Sequence, residues 1–242
     1  VLSDNEVIDG DLFVVPSTPA FVSGAHGEYL CSPRIDNLTS VYASLNAIIA
    51  SEGDGIQVAC CFDNEEIGSL TKQGANSALL ENTLRFIMRS LGGTEEDFAA
   101  AVSDGYILSV DNAHAVHPAH PEKSDPVEKV VMNGGIVIKH HTNYSTDALS
   151  SAILKTILDK AGIKYQDYYN NSDIRCGGTI GLVTSARLNM KACDIGLAQL
   201  AMHSGIETVG SSDIPVMEAC IKAFFSTTLS VDGANTEISV KL

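Results

Sequence analysis

The run Ile56 to Phe62 is apolar or small apart from Gln57, and it ends at once in Asp63, Glu65 and Glu66, with Gly68 just behind. Its β-branched and small residues predict a buried strand, so the acids would stand where a strand becomes a loop. In open α/β sheets that is where ligands bind. Two adjacent glutamates there can divide the labour, one ligating a metal and its neighbour moving protons without being a ligand. On its own such a pair is usually a solvated turn, so a functional reading needs partners elsewhere in the chain.

Those partners recur at matching positions. Tyr106 to Val110 reads as a second strand that ends on an acid, Asp111, followed by Asn112-Ala113-His114-Ala115-Val116-His117-Pro118. Asp36 stands before an apolar helical repeat of Leu38, Val41, Leu45, Ile48 and Ile49, where a bare aspartate is commonly an N-cap. Gly134 to His141 reads as a return strand delivering Lys139, His140 and His141 to its end, and His203 lies in a loop after a short strand at Lys191 to Gly196. Asp36, Glu65, Glu66, Asp111 and His203 are therefore spread along the chain and free to converge at one sheet edge. Carboxylates and imidazole are the ligand set for zinc or a related divalent ion, with cobalt and manganese as alternatives, and a bridging aspartate suits a two-metal hydrolase.

Between these positions the chain alternates strands with helices. A helix capped by Ser77 carries Leu80, Leu84, Ile87, Met88 and Leu91 and stops at Gly92-Gly93. A short one follows at Glu95 to Val102, another runs from Asp147 to Gly162 with Leu149, Ile153, Leu154, Ile157 and Leu158 inward, and the last spans Ser212 to Leu229. The fold class expected is α/β, a mostly parallel central sheet flanked by helices, with one catalytic domain over 1–242. Leu12 to Val15 is a strand pattern that begins without a preceding helix, and no methionine precedes it, which suggests truncation at the N-terminus.

Lys and Arg number 15 against 30 Asp and Glu, a net charge of −15, which repels nucleic acid and anionic membrane and favours cationic partners, metals included. No apolar run approaches the ~20 residues of a bilayer span, and the start lacks a basic signal-peptide region. The six cysteines show no CxxC spacing, which points to a reducing, cytoplasmic setting. The glycines of Cys176-Gly177-Gly178-Thr179-Ile180-Gly181 lack the lysine and flanking context of a nucleotide loop.

The sequence resembles the aspartyl aminopeptidase family of zinc metallopeptidases over most of its length. The resemblance rests on Ser32-Pro33-Arg34-Ile35-Asp36-Asn37-Leu38, Phe62-Asp63-Asn64-Glu65-Glu66-Ile67-Gly68-Ser69, Asp111 to Pro118, Cys176 to Gly181 and Ala201-Met202-His203-Ser204. It implies a zinc-exopeptidase-like domain with two divalent ions bridged by Asp36. Glu66 and His203 would complete one ion, Asp111 would bind the other, and Glu65 would be the general base toward a metal-bridging water. It also implies that His114, Lys139 and Tyr144 line the substrate pocket, that peptides with N-terminal Asp or Glu are the substrates, and that the protein is a homo-oligomer, a larger assembly built from dimers. Family members carry a further histidine ligand in an early His-Thr-Asp-Ser-Pro motif, then an inserted dimerisation domain; neither stands in this sequence, so the second ion would lack a protein ligand. The same metal core would serve a carboxypeptidase or deacylase, and the missing histidine also admits a non-catalytic assembly subunit.

Overall fold

The computed structural model describes residues 7–232 and 235–240. In chain order the first elements are β1 (Phe21–Ser23), β2 (Tyr29–Ser32), α1 (Ile35–Ala50), α2 (Leu79–Ser90), α3 (Glu95–Asp104), β3 (Tyr106–Val110) and β4 (Ala113–His114). They are followed by β5 (Ile136–His140), α4 (Ala148–Ala161), β6 (Tyr165–Tyr169), α5 (Ile180–Leu188), β7 (Lys191–Gly196) and β8 (Ala198–Leu200). The chain closes with β9 (Glu207–Gly210), α6 (Asp213–Phe225), β10 (Thr227–Asp232) and β11 (Asn235–Val240). Single 3-10 turns lie at Glu65–Ile67 and Pro121–Lys123.

The central sheet has the order β3-β7-β5-β6, with β3–β7 and β5–β6 parallel and β5–β7 antiparallel. The α/β class read from the alternation is borne out. A second sheet, β1-β2-β9-β8-β4, is antiparallel except at β4–β8, and its strands of two to four residues are too short to leave a periodic signal. β3 and β7 lead directly into β4 and β8, and the ladder carries on between the sheets through Asp111 N–H to Ile195 O at 2.9 Å and Ala113 N–H to Leu197 O at 2.8 Å. Asp111 thus stands where the chain crosses from one sheet to the other. Gly196 lies against the Asp111 carbonyl, where a Cβ would collide.

Strand alternation divides the structure into two sides. Ile136 and Ile138 of β5 and Cys193 and Ile195 of β7 pack with Leu154 and Leu158 of α4, Ala43 and Ala47 of α1, and Met217, Cys220 and Ile221 of α6. Removing each large side chain of this set from water is worth about 1.5–3 kcal/mol, which makes it the main stabilising unit. Val137 faces the other way, into a smaller cluster with Ala113, Ala115, Val130 and Ala198, and Asp194 meets α5 on that side, against Gly181. Helices therefore flank both faces. The caps of α4 form as expected: Asp147 accepts from Ser150 N–H at 2.7 Å, and Gly162 ends the helix at φ +67°.

Several local expectations are corrected. Ile56 to Phe62 forms no strand, and Ile56 and Val58 are exposed; the run has strand composition, but no described edge pairs with it, and an unpaired strand is not stable in water. Leu12 to Val15 is likewise exposed coil. The buried side of α1 is Ile35, Thr39, Ser40, Ala43 and Ala47, while Leu38, Leu45 and Ile49 face outward, because small residues let α6 approach closely. Leu149 is exposed although the rest of its predicted face is buried. The last helix stops at Phe225, and the β-branched Thr227 and Thr228 begin β10. The six cysteines are all free thiols.

Candidate metal centre

Asp36 lies in the first turn of α1 with non-helical backbone angles. Its carboxylate does not cap that helix. Oδ1 is buried without a hydrogen-bond partner among the described residues, and the side chain is only 6% exposed. Glu65 and Glu66 occupy the 3-10 turn between Asn64 and Gly68, both in the left-handed region, with the Gly68 N–H bonded to Glu65 O. The Glu65-Glu66 loop is as expected even though the strand before it is not. His203, also left-handed at φ +66°, lies between β8 and β9.

Three of the predicted ligands converge. His203 Nε2 is 3.3 Å from Asp36 Oδ2 and 3.1 Å from Glu66 Oε1, and each residue's donor atom lies within 4.8 Å of the others. Ligands at 2.0–2.1 Å from a tetrahedral zinc are separated by about 3.3 Å, so this spacing fits a zinc-sized ion. Asp111 adjoins Asp36. Burial, then the charge of Asp111 and a hydrogen bond with it, then Glu66 and Glu207, raise the Asp36 pKa to about 8. A buried, unpartnered carboxylate oxygen beside like charges is tolerated either protonated or beside a cation, and with the imidazole and second carboxylate at ligand spacing the residues present fit a bound divalent ion. Asp36, Glu66 and His203 would hold it.

The other predicted residues line the same cleft of about 360 Å³. Burial first, then Asp111 and Glu66, raise the Glu65 pKa to about 7, against the opposing pull of Lys139 and His203. Lys139, on the cleft-facing side of β5, is 2% exposed; its Nζ lies 3.8 Å from Asp111 Oδ2 and 5.4 Å from the centre of the Tyr144 ring. His114 is pushed toward the neutral form by desolvation and by the charges of Lys139 and His203. Burial holds the Tyr144 hydroxyl un-ionised, and that hydroxyl accepts a hydrogen bond from Cys176 Sγ at 3.4 Å.

Three supporting residues escaped the sequence reading. Glu207, at the start of β9 and 2% exposed, accepts the Asp36 N–H at Oε2 (2.8 Å) and the His203 N–H at Oε1 (2.6 Å). Asn112, 3% exposed, donates to Ile35 O, Thr39 Oγ1 and Gln199 Oε1 and ties α1 to β8. Fully buried Asp194 accepts from Ser145 N–H and Oγ and from Thr179 Oγ1, which joins the loop carrying Tyr144 to the glycine-rich segment of the cleft. Only the position of Asn112, one residue after a strand-ending acid, could have pointed to any of them.

A family model described as aminopeptidase I zinc metalloprotease (M18) matches residues 2–225. The chain belongs to the M18 aminopeptidase family. It is 39% identical over 227 residues to a probable M18 family aminopeptidase 2 of Mycobacterium leprae, covering 93% of this chain and 53% of that protein. With the counterpart in Clostridium novyi the identity is 43% over 211 residues, 86% of this chain and 49% of the relative. The chain thus spans about half the length of these curated M18 relatives. Among solved structures, the S. cerevesiae mApe1 dodecamer superimposes with a TM-score of 0.73 at 29% identity, covering 85% of this chain and 48% of that one.

Proposed function

We propose that this chain, as a catalytic domain, serves a two-metal aminopeptidase that releases N-terminal residues, preferably Asp or Glu, from peptides. The observation that carries the reading is the convergence of Asp36, Glu66 and His203 at ligand spacing, with the proton-accepting Glu65 and the buried cation Lys139 in the same cleft. Asp36, Glu66 and His203 would hold one ion, and Asp36 with the adjoining Asp111 would hold the second. When bound, the ions supply Lewis acidity at the scissile carbonyl and acidify the attacking water. Glu65, with its pKa near neutrality, takes the proton from that water and returns it to the leaving amine. Lys139 receives the acidic side chain of the substrate, while neutral His114 and the Tyr144 hydroxyl offer hydrogen bonds along the cleft. The dodecameric mApe1 structure supports a homo-oligomer.

Glu65→Gln tests the division of labour, because it preserves shape and removes the proton acceptor. In the whole protein it leaves zinc content nearly unchanged and lowers turnover by a factor on the order of 10²–10⁴. Zinc loss in Glu65→Gln with zinc retained in Glu66→Gln would exchange the two roles.

A further inference from the structure

Glu207 contacts the metal centre only through backbone. Each carboxylate oxygen accepts one N–H, from Asp36 and from His203, so the two oxygens are divided between two candidate ligands distant in sequence. The glutamate is itself fixed. Its backbone pairs with Ser32 in the β2–β9 ladder, and its side chain is 2% exposed. His203 adopts the left-handed region at φ +66°, which a residue with a Cβ seldom occupies unless something holds it there. Asp36 interrupts the start of α1 with extended, non-helical angles, and its N–H is directed to Glu207.

We propose that Glu207 is a positioning residue that sets the metal affinity of the Asp36–Glu66–His203 site by clamping the backbones of two of its ligands. The inference rests on the reading of Asp36 and His203 as ligands. Carboxylates that orient metal ligands commonly do so through the ligand's side chain, and removing such a partner costs about 10- to 100-fold in affinity. Here the same carboxylate fixes where two side chains originate, so the spacing of His203 Nε2 and Asp36 Oδ2 depends on it. Asp213 provides an internal comparison. Buried at the start of α6, it accepts the Asn133 N–H at 2.5 Å and the Gly135 N–H at 2.9 Å, the same double clamp at a place that does not line the cleft.

The test titrates zinc into the full chain against a chromophoric chelator, with thermal unfolding of the metal-free protein measured in parallel. Glu207→Gln turns one acceptor into a donor facing an N–H. Zinc affinity then falls about 10- to 100-fold, and the visible spectrum of the cobalt-loaded chain shifts as the ligand geometry loosens. Asp213→Asn lowers the metal-free unfolding midpoint and keeps zinc affinity within about twofold. If Glu207→Gln does not fold, Glu207→Asp, which keeps the charge but reaches only one of the two N–H groups, takes its place in the same titration. Unchanged zinc affinity in the Glu207 variant, with affinity lost in Asp36→Asn and His203→Ala, overturns the inference and leaves the ligand reading standing. Unchanged affinity in Asp36→Asn and His203→Ala overturns the ligand reading and the inference with it.

Discussion

Replacing Lys139 by methionine keeps the length and burial of the side chain and removes its charge, and the outcome can be worked from the geometry. The ammonium is 3.8 Å from Asp111 Oδ2, longer than a hydrogen bond, so its donors are not spent on that carboxylate. At this separation the raw attraction between unit charges is about 4 kcal/mol in an effective dielectric of about 20, before desolvation is subtracted. A substrate carboxylate that reaches the ammonium gains the ~1.5–3 kcal/mol of a charge-assisted hydrogen bond, which neutral side chains forgo. Lys139→Met therefore lowers kcat/KM for peptides beginning with Asp or Glu by about 10- to 100-fold, with far less effect on those beginning with Ala or Leu. The assay compares matched peptides differing only in the first residue, on the metal-loaded whole protein. An equal fall for both classes would refute the reasoning, because it would mean that Lys139 acts on the acids of the metal centre and not on the substrate side chain.

Two further outcomes follow from the same carboxylates. Asp36, with its pKa raised to about 8 by burial and by Asp111, must release a proton before it ligates; zinc affinity of the metal-free chain therefore rises with pH, up to about tenfold per unit below pH 8, and levels off above it. A pH-independent affinity in chelator competition would contradict the crowding of Asp36. Asp194→Ala strips the buried acceptor from Ser145 N–H, Ser145 Oγ and Thr179 Oγ1 and destabilises the fold by about 3–5 kcal/mol in denaturant unfolding, since each orphaned donor costs about 1–3 kcal/mol and the hydroxyls can partly reorient. A loss below about 1 kcal/mol would show that the clamp between the two cleft loops is dispensable.

Much of the centre was legible because its residues follow strong local signals. Tyr106 to Val110 and Lys191 to Gly196 form strands at the expected bounds, and Asp111 follows the first of them. The capping of α4 by Asp147 was written in its sequence, as was the glycine stop. Ile56 to Phe62 misled because apolar composition reports a wish for burial and says nothing about whether a neighbouring edge is there to pair with. β6 was missed since Tyr165-Gln-Asp-Tyr-Tyr mixes aromatic with polar residues, and α5 since it starts behind consecutive glycines. Glu207 was invisible for a different reason: its partners are main-chain N–H groups, which every residue except proline carries, so no residue pattern encodes the pairing.

Strand β5 assigns its odd- and even-numbered residues to different tasks, with Ile136 and Ile138 in the large core and Lys139 in the cleft. An inserted or deleted residue would exchange the two sets, sending the ammonium into hydrocarbon and an isoleucine toward the acids. A substitution at 139 thus changes the cleft and leaves the core set untouched, whereas a change in the length of this strand disturbs both at once.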